Sequence, residues 1–262
     1  MYKIVQKLAL LGIILSNIFL SHQLEAIQIR IEFYPQGQVP EKYQHLCKGA
    51  LSDCTLVFME DCPLDKTFVV EERNPLKLRD SPKLKLKGSF NNPSAMFCVD
   101  APGYIPGWPI ELTITDANKE NVKSVTFVPQ RLCVISPVDN ARIEATLYMP
   151  SPAYYKIEFN GFQKTENIKI KSCSYSETHE LQFTASSPFS YSPDVINKRG
   201  GIANLTFTRP SGEVLKLEFP WGWEWMKYML IYDKKGNMKL EIETDEFKQK
   251  MPEVAQYFRS KR

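Results

Sequence analysis

The sequence predicts an all-β protein: two tandem Ig-like antiparallel β-sandwiches followed by a short C-terminal tail of a hairpin and a helix. Three observations support this fold class. Apolar and charged residues alternate with period two, turn-forming residues separate the alternating segments, and one hairpin pattern recurs about 93 residues later. Such alternation is typical of antiparallel sheets that expose one face to water.

Six segments carry the alternation most clearly, and each is predicted to be a β-strand. They are residues 27–33, 84–87, 110–115, 155–159, 168–171 and 215–219. Each is bounded by Pro, Gly, Asn or Asp, which favour turns.

The recurring hairpin indicates a duplicated unit. Leu112 matches Leu205 at an offset of 93 residues, and Pro129 matches Pro220 at an offset of 91. A repeat of this length has the size of one β-sandwich. The alternative is that two amphipathic hairpins resemble each other by chance.

The repeat sets the predicted domain boundaries. The first sandwich covers residues 27–130, the second covers 131–222, and the tail covers 223–262. Within the first, residues 34–65 are rich in turn residues and contain three cysteines, so they are predicted to form a loop region joined by disulfides. In the tail, residues 238–243 alternate again, and Thr244 is placed to cap a helix that Pro252 interrupts or restarts.

The first 26 residues are predicted to be a secretory signal peptide. Lys3 and Lys7 precede the apolar stretch 8–20, and the small residue Ala26 ends the segment where a signal peptidase would cut. The apolar stretch is too short to span a bilayer. We therefore expect an exported protein that is periplasmic, cell-surface or secreted, with no transmembrane anchor after the signal is removed.

The six cysteines all follow this segment, and an even number in an exported chain favours disulfides. Buried free thiols and metal ligands are the alternatives, and the sequence does not fix a pairing. The candidates are Cys47, Cys54, Cys62, Cys98, Cys133 and Cys173.

Catalytic and metal-binding patterns are weak in this sequence. His45 lies near three of the cysteines, but the close Cys pair typical of zinc sites is missing. His179 has no recognisable nucleophile motif around it. A formal net charge of +3 argues against nucleic acid as the main partner. We therefore predict no catalytic residues, no metal, no cofactor and no enzymatic activity.

The candidate ligand-binding residues are Trp221, Trp223 and Trp225, spaced at i, i+2 and i+4. In a strand they would line one face and could stack on sugars or anchor a protein partner. The alternative is that the rings pack in the core or fix the tail, and Gly222 would then bend the chain between them.

Several short motifs resemble tandem Ig-like modules of uncharacterised secreted bacterial proteins. They are Gly161-Phe162 with Glu166 before a strand, Gly200-Gly201-Ile202-Ala203, and Pro220-Trp221-Gly222. The resemblance covers mainly the second sandwich. It implies a β-sandwich in an envelope or surface setting and implies no activity.

These observations together predict an exported, non-enzymatic binding or structural protein whose partner is a protein or glycan at the envelope or outside. Three other functions stay open: a carbohydrate-binding module, a periplasmic assembly chaperone and an envelope hydrolase. Fold alone does not decide among them.

Overall fold

The fold is described from a computed structural model of the 262-residue chain. The structure describes residues 28–35, 37–46, 53–60, 68–73, 83–84, 95–100, 104–116, 122–148, 153–193, 195–226, 231–232, 238–239 and 245–260. The predicted signal peptide lies outside these residues. Of the helices in the described part, none is long and apolar enough to cross a membrane.

In the described residues, the first sandwich has seven antiparallel strands in two sheets, with strand orders β1-β2-β5 and β4-β3-β6-β7. The strands are β1 (Gln28–Tyr34), β2 (Cys54–Glu60), β3 (Phe68–Arg73), β4 (Lys83–Leu84), β5 (Ala95–Asp100), β6 (Ile110–Asp116) and β7 (Val122–Phe127). Val57 of β2, Val70 of β3 and Leu112 of β6 are fully buried in one cluster, so apolar side chains from both sheets form the core.

The structure corrects one expectation for this sandwich. Residues 34–65 were predicted to be a loop region, but β2 lies within them at the centre of a sheet. Its residues are buried on both faces, because Leu56 and Phe58 pack under Val39 and Tyr43, on the side away from the main core. A strand covered on both faces reads as a continuous apolar run and lacks the alternation that identifies a half-exposed strand.

Over the part of this region that the structure describes, the second sandwich has eight strands in two sheets, with strand orders β13-β10-β9-β8 and β12-β11-β14-β15. The strands are β8 (Leu132–Ile135), β9 (Arg142–Leu147), β10 (Tyr155–Asn160), β11 (Asn167–Ser174), β12 (Glu177–Thr184), β13 (Phe189–Tyr191), β14 (Gly200–Thr208) and β15 (Val214–Gly222). Tyr155, Phe207 and Phe219 are fully buried between the sheets. The rings of Tyr155 and Phe219 are in contact, with centroids 4.5 Å apart.

The two sandwiches have the same topology. The order β1-β2-β5 corresponds to β9-β10-β13, and β4-β3-β6-β7 corresponds to β12-β11-β14-β15, with β8 as an additional edge strand. The recurring hairpin is β6–β7 in one and β14–β15 in the other. The predicted all-β class with tandem Ig-like sandwiches is therefore confirmed. The domain boundaries at residues 130 and 222 stay a prediction.

The segment before β6 connects the two sandwiches. Trp108 precedes β6 in sequence, yet it is buried in the core of the second sandwich. Gly107 holds this turn with φ +74°, and a side chain there would meet Leu132 Cδ1 at 2.7 Å. The backbone N–H of Leu147 also donates to the Gly107 carbonyl at 2.9 Å. A residue of the first half of the chain thus completes the core of the second.

The C-terminal tail forms the predicted hairpin and helix. The elements are β16 (Ile231–Tyr232), β17 (Met238–Lys239), α1 (Asp245–Lys250) and α2 (Pro252–Ser260). Val254, Ala255 and Phe258 on α2 are buried in the core cluster of the second sandwich. The helices of the tail are therefore part of that core, and α2 contacts β14 and β15.

Candidate functional site

The three predicted ligand-binding tryptophans do not form an exposed row. Trp221 and Trp225 have only 3% and 0% of their surface exposed. The indole N–H of Trp221 donates to Ser174 Oγ at 3.0 Å, and that of Trp225 donates to the Trp221 carbonyl at 3.0 Å. Gly222 ends β15 with φ +87°, so the strand that would align the rings does not continue. For these two residues the structure corresponds to the packing alternative.

Trp223 differs from its neighbours because 40% of its surface is exposed. Its backbone N–H donates to the Arg199 carbonyl at 2.9 Å, which fixes the chain at this point. Tyr175 is equally exposed at the same end of the sandwich, and Lys198 Nζ lies 4.6 Å from the centre of its ring. Ligand binding by Trp223 stays a prediction.

The predicted disulfides are not formed between any two of the cysteines in the described residues, namely Cys54, Cys98, Cys133 and Cys173. Cys47 and Cys62 lie outside those residues, so pairings that involve them stay predictions. Burial raises the pKa of the Cys133 thiol, and the nearby Glu144 carboxylate adds to this effect. The thiol is therefore protonated at neutral pH, which disfavours a nucleophilic role.

Both histidines considered as catalytic candidates are exposed. The side chain of His179 is 65% exposed, and its Nε2 lies 3.9 Å from a Glu177 oxygen. His45 is exposed in the turn that covers β2. Within the part of the chain that the structure describes, no group of three or more His, Cys, Asp or Glu side chains has a metal-binding arrangement.

A second candidate site lies at the opposite end of the second sandwich. We call it the loop end and define it as residues 136–141, 161–166 and 209–213, which connect β8 to β9, β10 to β11 and β14 to β15. Sandwich proteins commonly bind partners through loops at one end of the sheets.

Arg209 joins these loops to one another. Its guanidinium donates to both carboxylate oxygens of Glu166, at 2.6 and 3.1 Å. It also lies 2.9 Å from an oxygen of Asp139 and 2.8 Å from one of Glu213. The ring of Phe162 packs against it, with the guanidinium carbon 4.6 Å from the ring centre. A bidentate Arg–carboxylate pair fixes both distance and orientation.

Further hydrogen bonds make the loop end rigid. Ser136 Oγ donates to Glu213 Oε1 at 2.7 Å and accepts from the backbone N–H groups of Val138 and Asp139. The Glu166 carbonyl accepts from the N–H of Ala185, which attaches the β12–β13 loop as well.

The electrostatics of the loop end follow from this cluster. Hydrogen bonds from Arg209, the Ala141 backbone and Ser136 lower the pKa of the Asp139 carboxyl well below its usual range. Hydrogen bonds to the carboxylates of Glu166, Asp139 and Glu213 raise the pKa of Arg209, and the bond to Glu166 is the largest cause. Three carboxylates therefore face one guanidinium in this cluster.

Aliphatic side chains are exposed around this charged cluster. Val138, Ile135 and Val214 have 78%, 53% and 50% of their surface exposed. Ile135 precedes Ser136 in the chain and Val214 follows Glu213, and Ser136 and Glu213 are joined by a hydrogen bond. The loop end thus presents apolar side chains on a fixed backbone.

Sequence reasoning missed the loop end because its charged residues are up to 74 positions apart, from Asp139 to Glu213. The available signal was the pair Arg209 and Glu213, which flank the turn at Pro210-Ser211-Gly212 at i and i+4. No spacing rule connects that turn to Glu166.

Comparisons with known proteins bear on the fold alone. No known protein-family profile matches the sequence, and no curated protein matches it. The chicken CNTN1 FN1-FN3 domains are similar over 64% of this chain and 60% of that chain, with 5% identity and a TM-score of 0.24. Salmonella alpha-2-macroglobulin reacted with methylamine is similar over 77% of this chain and 17% of that chain, with 8% identity and a TM-score of 0.21.

This chain therefore spans less than two thirds of the length of either solved chain. With TM-scores this low, the description of the fold rests on the strand order and the two cores. An Ig-like sandwich is a scaffold of binding and structural modules, and its activity is decided by the site that it carries.

Proposed function

We propose that this protein is an exported, non-enzymatic binding protein that holds a protein partner at the loop end of its second sandwich. The observation that carries the proposal is the Arg209 cluster, which fixes three loops beside exposed aliphatic residues. Export is supported by the sequence of residues 1–26, and the location would then be periplasmic, cell-surface or secreted.

The physical argument concerns the cost of binding. A flexible loop loses conformational entropy when a partner orders it, whereas a loop that is already fixed does not. Val138 can therefore be buried by a partner with little ordering cost. A protein partner is favoured over a small ligand because the exposed aliphatic residues surround a cluster whose charged groups are already bonded to one another.

Two variants with matched exposure test this proposal. Val138 and Ile196 are both 78% exposed, and they lie at opposite ends of the second sandwich. Val138→Asp should abolish capture of a partner from envelope fractions, and Ile196→Asp should leave it intact. Neither substitution should change the free energy of unfolding by more than about 0.5 kcal/mol, because both sites are on the surface.

Amine cross-linking supplies a second readout on the wild-type chain. Lys164 lies in the loop end, and Lys198 lies at the other end of the sandwich, where its Nζ is 4.6 Å from the centre of the Tyr175 ring. Cross-links to the partner should involve Lys164. Capture that persists in Val138→Asp, or cross-links that involve Lys198 alone, would contradict binding at the loop end.

A glycan ligand at Trp223 is the second candidate, because this exposed ring lies at the same end of the sandwich as the exposed Tyr175 and the cation of Lys198. Aromatic rings of this kind stack on sugars and anchor protein partners. Binding to polysaccharide fractions that is lost in Trp223→Ala and retained in Val138→Asp would favour it. A saturable catalytic activity of the purified protein would contradict both candidates.

A further inference from the structure

Strand β12 is an exposed sheet edge that is eight residues long. Its eight residues pair with β11 on one side, and among the described residues no strand pairs with it on the other. None of the eight is buried. The strand contains no proline, which is one of the devices that blocks pairing at an edge.

The side of β12 that faces the core is only partly covered. Phe183 stacks on Phe189 of β13, with ring centres 4.0 Å apart. Leu181 lies opposite the buried Ile170 of β11, yet it is 40% exposed. The strand that supplies Phe189, β13, has only three residues.

The backbone of β12 has a defined set of groups available for pairing. A two-residue connection joins Ser174 to Glu177, and its first residue, Tyr175, has φ +53°. In such a hairpin the flanking pair exchanges hydrogen bonds, and bonded and non-bonded pairs then alternate. The N–H and C=O groups of Thr178, Glu180 and Gln182 therefore point away from β11.

We propose that β12 pairs antiparallel with β12 of a second copy of this chain, with Leu181 opposite Leu181. The two β12 strands then join their sheets into one eight-stranded sheet whose core-facing sides lie on the same face. Across the interface Glu180 lies opposite Gln182, Thr178 opposite Thr184, and His179 opposite Phe183. Seven residues of each copy, 178–184, take part.

Charge selects this register over its neighbours. A shift of two residues one way places Glu180 opposite Glu180 and Phe183 opposite Glu177, and like charges at opposite positions are destabilising. A shift of two the other way limits the pairing to residues 180–184. In the proposed register Glu180 keeps its cross-strand neighbour Lys171 and meets an uncharged amide in the other copy.

The expected strength is modest. One seven-residue edge buries less surface than a standard protein interface of about 1,600 Å². We therefore expect a reversible dimer with a dissociation constant in the micromolar range. This inference is independent of the proposed loop-end function, because β12 lies on the lateral edge of the sandwich.

Sedimentation velocity of the purified chain over a range of concentrations tests the proposal. The wild type should convert from monomer to dimer as concentration rises. Leu181→Lys places a charge on the apolar contact, and Gln182→Pro removes a backbone donor from the free edge only. Each should weaken the dimer at least about tenfold. Val214→Lys, at a site 50% exposed on β15, the second edge strand of the same sheet, should leave the monomer–dimer equilibrium unchanged.

Cysteine variants test the register. Leu181→Cys brings two equivalent side chains together across a non-hydrogen-bonded pair, where side chains are closest. Gln182→Cys lies opposite Glu180 and not opposite itself. Oxidation should therefore link Leu181→Cys chains into dimers well above the wild-type background, and Gln182→Cys chains should not exceed it.

Three results would overturn the proposal. The first is a wild-type chain that stays monomeric at every concentration. The second is a dimer that both Leu181→Lys and Gln182→Pro leave intact, provided that each variant keeps the wild-type urea midpoint. The third is equal cross-linking of the two cysteine variants, which would contradict the register.

Discussion

Replacing Arg209 by Met should lower the free energy of unfolding of the second sandwich by about 2–3 kcal/mol. The side chain of Arg209 is only 9% exposed, and those of Glu166 and Glu213 are 10% and 14% exposed. Removing the guanidinium leaves these two carboxylates without their counter-charge inside the loop end. Methionine keeps much of the apolar stem, so the measured loss reports mainly on charge.

The magnitude follows from the position of the cluster. Removing one partner of a buried pair costs about 3–5 kcal/mol, whereas an exposed pair contributes about 0–1 kcal/mol. The Arg209 cluster has little exposed surface, but it lies at the end of the sandwich, where water can reach the carboxylates after the change. We therefore expect a value below the buried range and well above the exposed one.

The assay is urea unfolding followed by tryptophan fluorescence, because Trp221 and Trp225 are buried in the second sandwich. With a urea dependence of about 1–3 kcal/mol per molar, the midpoint should fall by about 1 M. The matched control is Lys156→Met, which removes a surface pair with Glu158 in the same sandwich. Its cost should be below about 1 kcal/mol.

A double-mutant cycle separates the pair from the rest of the cluster. Glu166→Gln should cost less in the Arg209→Met background than in the wild type, with a coupling of about 1–3 kcal/mol. If Arg209→Met and Lys156→Met shift the midpoint equally, the cluster does not hold the loop end together. The argument for a fixed binding surface would then fail with it.

Three further changes give independent tests. Gly222→Ala should lower the free energy of unfolding in urea by more than about 3 kcal/mol, because the new Cβ would lie 2.2 Å from the Arg199 carbonyl oxygen. Gly212→Ala, also at φ +87° but in open space, should cost only about 1–2 kcal/mol. Equal losses in the two variants would refute the clash. Trp108→Ala should destabilise the second sandwich by about 3–5 kcal/mol, and an unchanged midpoint would place this ring outside its core. In an NMR titration the Asp139 carboxyl should stay ionised at pH values well below the usual aspartate pKa of about 3.9. The stability that this carboxylate contributes is therefore present above a pH of about 3.9 and is lost as the pH falls toward the lowered pKa. Arg209→Met should return the pKa of Asp139 toward about 3.9, and an unchanged titration would show that Arg209 does not lower it.

Local pattern determined the fold class of this protein. Alternation in residues 110–115, 168–171 and 215–219 identified β6, β11 and β15, because each has one face in the core and one in water. The match between Leu112 and Leu205 identified the equivalent strands β6 and β14. These features can be predicted from the sequence because the side chains of a strand point alternately to its two faces, independently of the segments that pack on them.

Tertiary structure decided the features that depend on distant segments. Strand β2 is buried on its outer face only because residues 39–46 fold over it, so its apolar run gave no alternation to read. Trp221 lies on the core-facing side of β15 with Leu217 and Phe219. Trp225 follows Gly222, where the strand ends, and packs against Phe258 of α2. The i, i+2, i+4 spacing of Trp221, Trp223 and Trp225 would place the three rings on one face only if the strand continued past Gly222.

The loop end was the least readable part of the sequence. Asp139, Glu166, Arg209 and Glu213 belong to three different connections, and only the closure of two sheets over one core brings them within hydrogen-bond distance. Spacing along the chain therefore determined which segments became strands. Packing between distant strands decided which charged side chains meet, because electrostatic contacts at the end of a sandwich depend on separation in space and not in sequence.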